Sequence, residues 1–456
     1  AVQAAYFGHK VLVVEKAPEP GGAAVHTGTL PSKTLRETAL YLSGYRARDL
    51  YGISVKLEDR HAAVPRLIAR KDVIATTESA RIRANLLRHG VELTRGSARF
   101  VEPGVLAIDP AGQGVPRMVK SKFFLIATGS VPRNPPDVPI AELDVYDSDE
   151  ILAIDSLPER LVVLGAGVIG CEYACMFAAL GVKVTLVEAK TQFLPFLDHE
   201  IGQKLEQVMA GSLDIEILKG ARWGAVRCTH PGVLCDLMDG PDGKVGTVLK
   251  CEKLLFAAGR VGATHGLGLD NIGLAADSRG ALAVDEHYRT SVSNVYAAGD
   301  VIGFPALAST SMEQARVAVC HAFGIEYKKS VDALLPYGIY TIPEVSTVGE
   351  TEESARAQKL DYVVGRAFFR DNARGLIQGD ADGLIKLVVH RATRRLIGVH
   401  ILGDRATELV HIGQAVMTLG GTVDALIQMV FNYPTLSESY KYAAYSALGA
   451  LAKPTA

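Results

Sequence analysis

Cysteine is sparse in this 456-residue chain and is never spaced for sulfur or metal chemistry. The six present are Cys171, Cys175, Cys228, Cys235, Cys251 and Cys320, with no C-x-x-C pair and no metal-like cluster. That pattern argues against a disulfide-stapled secreted scaffold, a thioredoxin-type dithiol and a zinc site, and reads as reduced, buried thiols of a cytoplasmic protein. Charge of a single sign is lacking too. With 48 Lys and Arg against 50 Asp and Glu, the formal net charge is −2 and no Lys/Arg run occurs. Neither nucleic acid nor an anionic membrane surface is therefore expected as a partner. An uninterrupted apolar run of membrane length is also missing. Leu161 to Val182 comes nearest, with Glu172 its only charged residue. Its glycines and the strand pattern that follows argue for a buried βαβ unit instead. Low-complexity linkers are absent, so the two to four domains of about 100–200 residues that such a length holds are expected to be packed rather than tethered.

What is present is organised around Leu161 to Glu188. The apolar run Leu161 to Leu164 leads into Gly165, Gly167 and Gly170, spaced G-x-G-x-x-G; a 3.6-period run follows to Leu180, Gly181 ends it, and a second strand pattern closes on Glu188. The first glycine makes the tight turn, the second lets backbone approach a pyrophosphate, and the third packs helix on strand, while the helix N–H groups hold the anion. Glu188, 23 residues beyond Gly165, is placed to accept a ribose 2′-OH. A glycine motif alone carries little, but strand, turn, helix, strand and acid in register mark a dinucleotide site.

The N-terminus repeats the second half of this unit. With Gly8 set on Gly181, Lys10 falls on Lys183, Val11 on Val184, Val14 on Val187 and Glu15 on Glu188. Residue 1 then matches Ala174, so the chain is expected to begin inside the first helix of a second dinucleotide domain, without that domain's first strand and glycine fingerprint, and with Glu15 as its ribose acid. The competing reading makes Ala1 to Gly8 an amphipathic leader. Phe123-Phe-Leu-Ile-Ala-Thr-Gly129 and Lys253-Leu-Leu-Phe-Ala-Ala-Gly259 are both buried-type strands running into small-residue turns, as expected where each unit closes over its nucleotide. Asn294-Val-Tyr-Ala-Ala-Gly-Asp300 puts an acid just beyond a strand end, where ligands of open α/β sheets bind, so Asp300 is a candidate ribityl or pyrophosphate-loop contact. Between these markers, 33–95 reads as helical and charged and 96–108 as strand-like. From about Leu335 the character changes. Leu384 to His390 and Leu396 to Leu402 form a predicted hairpin, followed by amphipathic helices near Ala406 to Leu419 and Leu436 to Leu451.

The segment Gly21 to Lys33, GGAAVHTGTLPSK, carries the most specific signal. Taken with the paired nucleotide units, Ala-Thr-Gly129, Ala-Ala-Gly-Asp300 and Pro434-Thr-Leu-Ser-Glu438, it resembles the pyridine nucleotide–disulfide oxidoreductases, a family of FAD enzymes. The resemblance implies an α/β fold: two Rossmann-like dinucleotide-binding domains, for FAD and NAD(P), plus a C-terminal α+β dimerisation domain. The expected boundaries are 1–148 for FAD, 149–268 for NAD(P), 269–332 for the FAD or central segment and 333–456 for dimerisation. Disulfide members of the family carry two cysteines five residues apart ahead of Pro-Ser-Lys; Ala24 and Thr29 stand at those positions. Neither can cycle through a disulfide. Dithiol members also place a His, paired with a Glu, immediately before Pro-Thr. Here Asn432-Tyr433 precedes Pro434, and a phenol with a pKa of about 10 is a poor base at neutral pH. Glu438 is accordingly read as structural. His26-Thr-Gly-Thr-Leu-Pro-Ser-Lys33 and Phe431-Asn-Tyr-Pro-Thr435 are similar to the branch formed by soluble, Si-specific pyridine nucleotide transhydrogenases, whose members usually keep the first of the two cysteines.

That resemblance implies hydride transfer between NADPH and NAD⁺ by way of FAD, both nucleotides visiting one pocket in turn, in a homodimer or higher homo-oligomer. Lys33 and Glu172 are the implied catalytic pair beside the flavin, the lysine stabilising negative charge and the glutamate orienting the lysine. The implied cofactor-binding set is Glu15, Lys16, Gly21, Gly22, Ala24, Thr29, Lys33, Ala98, Thr128, Gly129, Gly165, Gly167, Gly170, Glu188, Gly259, Asp300 and Ala308. His26 is either a flavin-tuning group or a satisfied core histidine. Glu188 favours NAD(H); Lys190 is either a compensating cation that admits NADP(H) or a solvated lysine. Ala263 departs from the Asn common after the family's Gly-Arg turn. Two other readings stay open: an NAD(P)H oxidase or quinone reductase of the same family, and a non-catalytic nucleotide-binding redox sensor.

Overall fold

Strand Arg160–Leu164 buries Leu161, Val162, Val163 and Leu164 together. A continuous apolar run of this kind belongs to a parallel strand covered on both faces. In the computed structural model, which describes residues 1–45, 60–140, 142, 144–229, 231–239 and 244–453, that strand is the middle of a five-stranded parallel sheet. Lys183–Glu188 and then Glu216–Lys219 lie on one side of it, and Lys253–Phe256 and then Val145–Tyr146 on the other. Helix Val168–Ala179 joins the first two strands and is buried nearly all round, which is why its composition looks like a membrane span. No helix among the described residues is long and apolar enough to cross a membrane. Gly181, at φ +81°, closes the helix where the sequence pattern ends it.

The described chain divides into two compact units. The unit just introduced comprises 35–67, 134–258 and 333–456. Besides the parallel sheet it holds an antiparallel meander of Arg222–Cys228, Val233–Asp239 and Lys244–Cys251, which the residue pattern did not announce. Its C-terminal part is a second five-stranded, antiparallel sheet. The hairpin Leu384–His390 with Leu396–Gly403 forms as expected and is flanked by Glu344–Gly349, Tyr337–Ile339 and Tyr362–Phe368. Helices Ala406–Thr418 and Ser439–Leu451 cover it, their Val410, Tyr440, Ala443 and Ala447 meeting Ile385, Leu387 and Val399 in one core. The last helix starts three residues later than its apolar pattern, because Leu436–Glu438 is a 3-10 turn.

The other unit comprises 1–34, 68–133 and 259–332. Strand Leu12–Glu15 runs parallel to Glu92–Glu102, which continues antiparallel into Val105–Pro110 and Arg117–Lys120. Phe124–Ile126 pairs in parallel with Val295–Ala297, and helix Ala308–Phe323 follows the latter. Phe100, Phe124, Ile126, Leu269, Val295 and Val301 share its core. The stretch read as helical over 33–95 is two helices, Thr29–Ser43 and Arg60–Arg88, with 46–59 outside the described residues. It also gives up its end to a strand: Gly90, at φ +65°, stops the helix, and strand Glu92–Glu102 begins two residues on.

Candidate functional site

The glycine turn works by crowding. Gly165 has φ +104°, and a Cβ there would lie 2.8 Å from the Ala257 carbonyl oxygen; a Cβ on Gly170 would come within 1.9 Å of the Gly165 carbonyl oxygen. A side chain at Gly165 would push the turn off the 257–258 backbone, and one at Gly170 would pry helix from strand. Gly167 is different, since a Cβ on it would meet nothing within 4 Å. It caps helix Val168–Ala179 with no side chain bonded to the first-turn N–H groups, so the open face carries backbone donors and a helix N-terminus. Glu188 borders this turn at the end of its strand. Its Oε2 accepts the Ala166 N–H and its Oε1 the Lys190 N–H, both at 2.9 Å. The acid is thus braced against the turn, with lone pairs left on each oxygen for a ribose hydroxyl. Glycine cradle, backbone donors and fixed acid together fit a dinucleotide.

One helical turn into the same helix, Glu172 is buried, and its Oε1 accepts the Tyr340 N–H at 2.9 Å. Cys171 and Cys175 lie beside it. Burial pushes both thiols up, Cys175 to about 12, so they stay protonated at neutral pH. All six cysteines are free.

In the other unit Glu15 stands at the carboxyl end of its parallel strand, its Oε1 accepting the Ala17 N–H at 2.9 Å, and Lys16 follows it. Asp300 stands just beyond strand Val295–Ala297, and its Oδ2 accepts the Ser130 hydroxyl at 2.8 Å. Arg260 Nε donates to the same Ser130 Oγ at 2.9 Å and its Nη2 to the Ser130 carbonyl at 2.8 Å. Thr128 and Gly129 directly precede Ser130, and the Gly129 carbonyl accepts the Ala263 N–H at 2.9 Å. Ala308 opens a 16-residue helix whose Leu307 cap makes no side-chain bond to the first-turn N–H groups. Two oriented acids at parallel strand ends and an uncapped helix start are a donor and acceptor set that fits the hydroxyls and polar ring edge of FAD.

The remaining expected residues fall as follows. Gly21 and Gly22 begin the short helix Gly22–His26 that contains Ala24, and Thr29 begins helix Thr29–Ser43 with Lys33 in its second turn, Nζ 3.4 Å from Ser32 Oγ. Ala98 is mid-strand opposite Ile108, and the Gly259 carbonyl accepts the Arg133 N–H at 3.1 Å. Lys33 and the other flavin-side residues lie in one unit; Gly165, Gly167, Gly170, Glu172 and Glu188 lie in the other. Partly buried His26 has its Nε2 3.2 Å from the Pro20 carbonyl and 3.1 Å from Ser79 Oγ. Glu438 receives the Tyr442 hydroxyl at 3.4 Å, a local bond within the C-terminal helical region. Sequence reasoning missed Ser130 and Arg260. Ser130 directly follows the Ala-Thr-Gly129 turn, a signal that was available, whereas nothing near Arg260 pointed to its partner.

A parallel sheet with a G-x-G-x-x-G turn and a braced acid, a second set of strand-end acids, and an antiparallel C-terminal sheet define a two-dinucleotide α/β oxidoreductase. The chain belongs to the pyridine nucleotide-disulphide oxidoreductase family, whose pattern matches residues 1–322, with the dimerisation domain of that family matching 335–444. It is 45% identical over 444 residues to the soluble pyridine nucleotide transhydrogenase of Mycobacterium tuberculosis, covering 97% of this chain and 93% of that protein. It is 38% identical over 454 residues to that of Pseudomonas aeruginosa, covering 99% and 96%. Among solved structures, LpdA from Mycobacterium tuberculosis superposes with a TM-score of 0.87 at 30% identity, covering 98% of this chain and 95% of that one. The HOCl-induced flavoprotein disulfide reductase RclA from Escherichia coli superposes at 0.85 with 28% identity, covering 96% and 95%.

Proposed function

We propose that this protein is an FAD-dependent pyridine nucleotide transhydrogenase that moves a hydride between NADPH and NAD⁺ without a redox disulfide. The observation that carries this is the pairing of an intact nucleotide cradle, Gly165, Gly167, Gly170 and Glu188, with Ala24 and Thr29 where a dithiol would stand. Bound FAD supplies a two-electron carrier able to take a hydride from one nicotinamide and give it to another. The chain's own residues do the rest. Glu15, Lys16, Gly21, Gly22, Ala24, Thr29, Lys33, Ala98, Thr128, Gly129, Asp300 and Ala308 hold FAD, with Asp300 kept in one orientation by Ser130. Lys33 supplies a positive charge for the isoalloxazine and Glu172 a fixed buried carboxylate; these two are the catalytic residues. The backbone N–H groups after Gly167 hold the nicotinamide nucleotide's pyrophosphate, Gly259 closes over it, and Glu188 holds its ribose.

The corresponding domain division is FAD over 1–148 and 269–332, NAD(P) over 149–268 and dimerisation over 333–456. A homodimer is supported by the exposed Leu419, Met429, Val430, Tyr433 and Tyr442 of the segment that matches the family's dimerisation domain. Six free cysteines suit a reducing compartment such as the cytoplasm. The test is an initial-rate study of the FAD-loaded enzyme with NADPH and an NAD⁺ analogue. One shared nucleotide pocket requires the first product to leave before the second substrate enters, so double-reciprocal lines should be parallel. Intersecting lines would overturn the shared pocket, oxygen uptake in place of transfer would mark an oxidase, and dihydrolipoamide oxidation would refute the disulfide-free chemistry.

A further inference from the structure

Arg36 is a buried cation that the proposed transfer does not use. Arg36 lies on helix Thr29–Ser43, three residues after Lys33, and is 5% exposed. Its Nε and Nη2 both donate to the Thr341 carbonyl, at 3.1 and 3.0 Å, and its Nη1 lies 3.2 Å from Oε1 of buried Glu344 and 2.6 Å from Oε1 of Glu37. Glu344 is itself held, its Oε2 accepting the Thr407 hydroxyl at 2.9 Å and the Thr407 N–H at 3.3 Å. A buried arginine has no reason to be retained for its charge alone, since taking it out of water is costly unless each donor is satisfied. Here its bonds converge on one short segment, 340–344. That segment meets helix Val168–Ala179 through the Tyr340 N–H, which donates to the Glu172 carboxylate at 2.9 Å. The peptide unit joining Thr341 to Ile342 is therefore gripped by Arg36 at its carbonyl, one residue from the amide that holds Glu172.

We propose that Arg36 is a positioning residue for Glu172, clamping the 340–344 segment through Thr341 and Glu344 so that the Tyr340 N–H stays on the Glu172 carboxylate. This rests on the catalytic role given to Glu172. Without the clamp the Thr341 carbonyl and the Glu344 carboxylate lose a shared buried partner, the segment relaxes, and the Glu172 carboxylate loses a donor that helps fix its direction.

The experiment is a double-mutant cycle in the FAD-loaded enzyme, pairing Arg36→Met with Glu172→Gln. Arg36→Met should lower turnover tenfold or more while leaving KM for both nucleotides within twofold. Arg36→Lys, which keeps the charge but not the forked bond to Thr341, should recover part of the loss. Because Arg36 acts through Glu172, the double variant should be within twofold of Glu172→Gln alone. Amide hydrogen exchange read on a peptide spanning 337–344 should quicken at least tenfold in Arg36→Met. Multiplying losses, or an unchanged exchange rate in that peptide, would overturn the proposal while leaving the role of Glu172 intact. Full activity in Glu172→Gln would instead overturn the reading of Glu172, and the proposal with it. Should Arg36→Met fail to fold, Arg36→Lys and Glu344→Gln carry the same cycle.

Discussion

Glu188 is the residue whose replacement separates nucleotide recognition from scaffolding most cleanly. In the role proposed for it, Glu188 accepts the ribose 2′-OH of NADH, and Glu188→Ala would remove that acceptor; a hydrogen bond to a charged group contributes about 1.5 kcal/mol or more. It also removes a negative charge that opposes a 2′-phosphate at a half-buried site. Coulomb attraction or repulsion between unit charges about 4 Å apart runs from about 1 kcal/mol in water to about 4 kcal/mol at a protein surface, so about 1 kcal/mol is a conservative value for this relief. The two add in the discrimination between nucleotides, giving about 2.5 kcal/mol, or roughly 60-fold in the ratio of kcat/KM for NADH to that for NADPH. A third effect cancels in that ratio. The Ala166 and Lys190 N–H groups, each bonded to the carboxylate at 2.9 Å, lose their acceptor whichever nucleotide binds. Efficiency with NADH should therefore fall through both losses, and that with NADPH should hold or rise. The assay is steady-state oxidation of each reduced nucleotide by a dye acceptor at fixed concentration. A ratio unchanged within threefold, with both nucleotides weakened alike, would show that Glu188 only braces the glycine turn.

Buried charge and buried sulfur set the remaining outcomes. Lys386 is 1% exposed and its Nζ lies 2.7 Å from Asp198, 2.9 Å from Glu200 and 2.6 Å from Glu352. Lys386→Met leaves those carboxylates short of a cation and should cost about 3–5 kcal/mol, seen as a lower urea midpoint. Burial works to raise the Asp198 and Glu200 carboxyls, but His400, Lys386 and the Glu352 N–H on the first, and Arg366 with Lys386 on the second, hold both below the usual carboxylate range. A depressed folded pKa contributes stability that is present above the unfolded value of about 4 and is lost as pH falls through the folded value, so the urea midpoint should drop between pH 7 and pH 3.5, and by less in Lys386→Met. Burial pushes the Cys235 thiol to about 11 and those of Cys175 and Cys251 to about 12. These three should resist iodoacetamide at pH 7.5 in the native protein, and dithiol-directed arsenicals should not inhibit it; rapid alkylation of any of the three, read by peptide mass, would show the burial to be overstated.

What the sequence by itself determined is what short-range geometry determines. A positive φ at Gly165 and the missing side chain at Gly170 are demanded by atoms within a few residues or one strand away, so the turn, its helix and the acid that ends the next strand could be read from their spacing. The hairpin Leu384–His390 with Leu396–Gly403 was legible for the same reason; the meaning of Ala24 and Thr29, by contrast, came only from the family resemblance. Tertiary structure alone decided the polar pairings. Arg36 meets Thr341 across 305 positions and Lys386 meets Asp198 across 188, and nothing beside either residue encodes its partner. A backbone constraint is satisfied locally and leaves a local signature, whereas a buried charge is satisfied by whichever distant element the fold delivers.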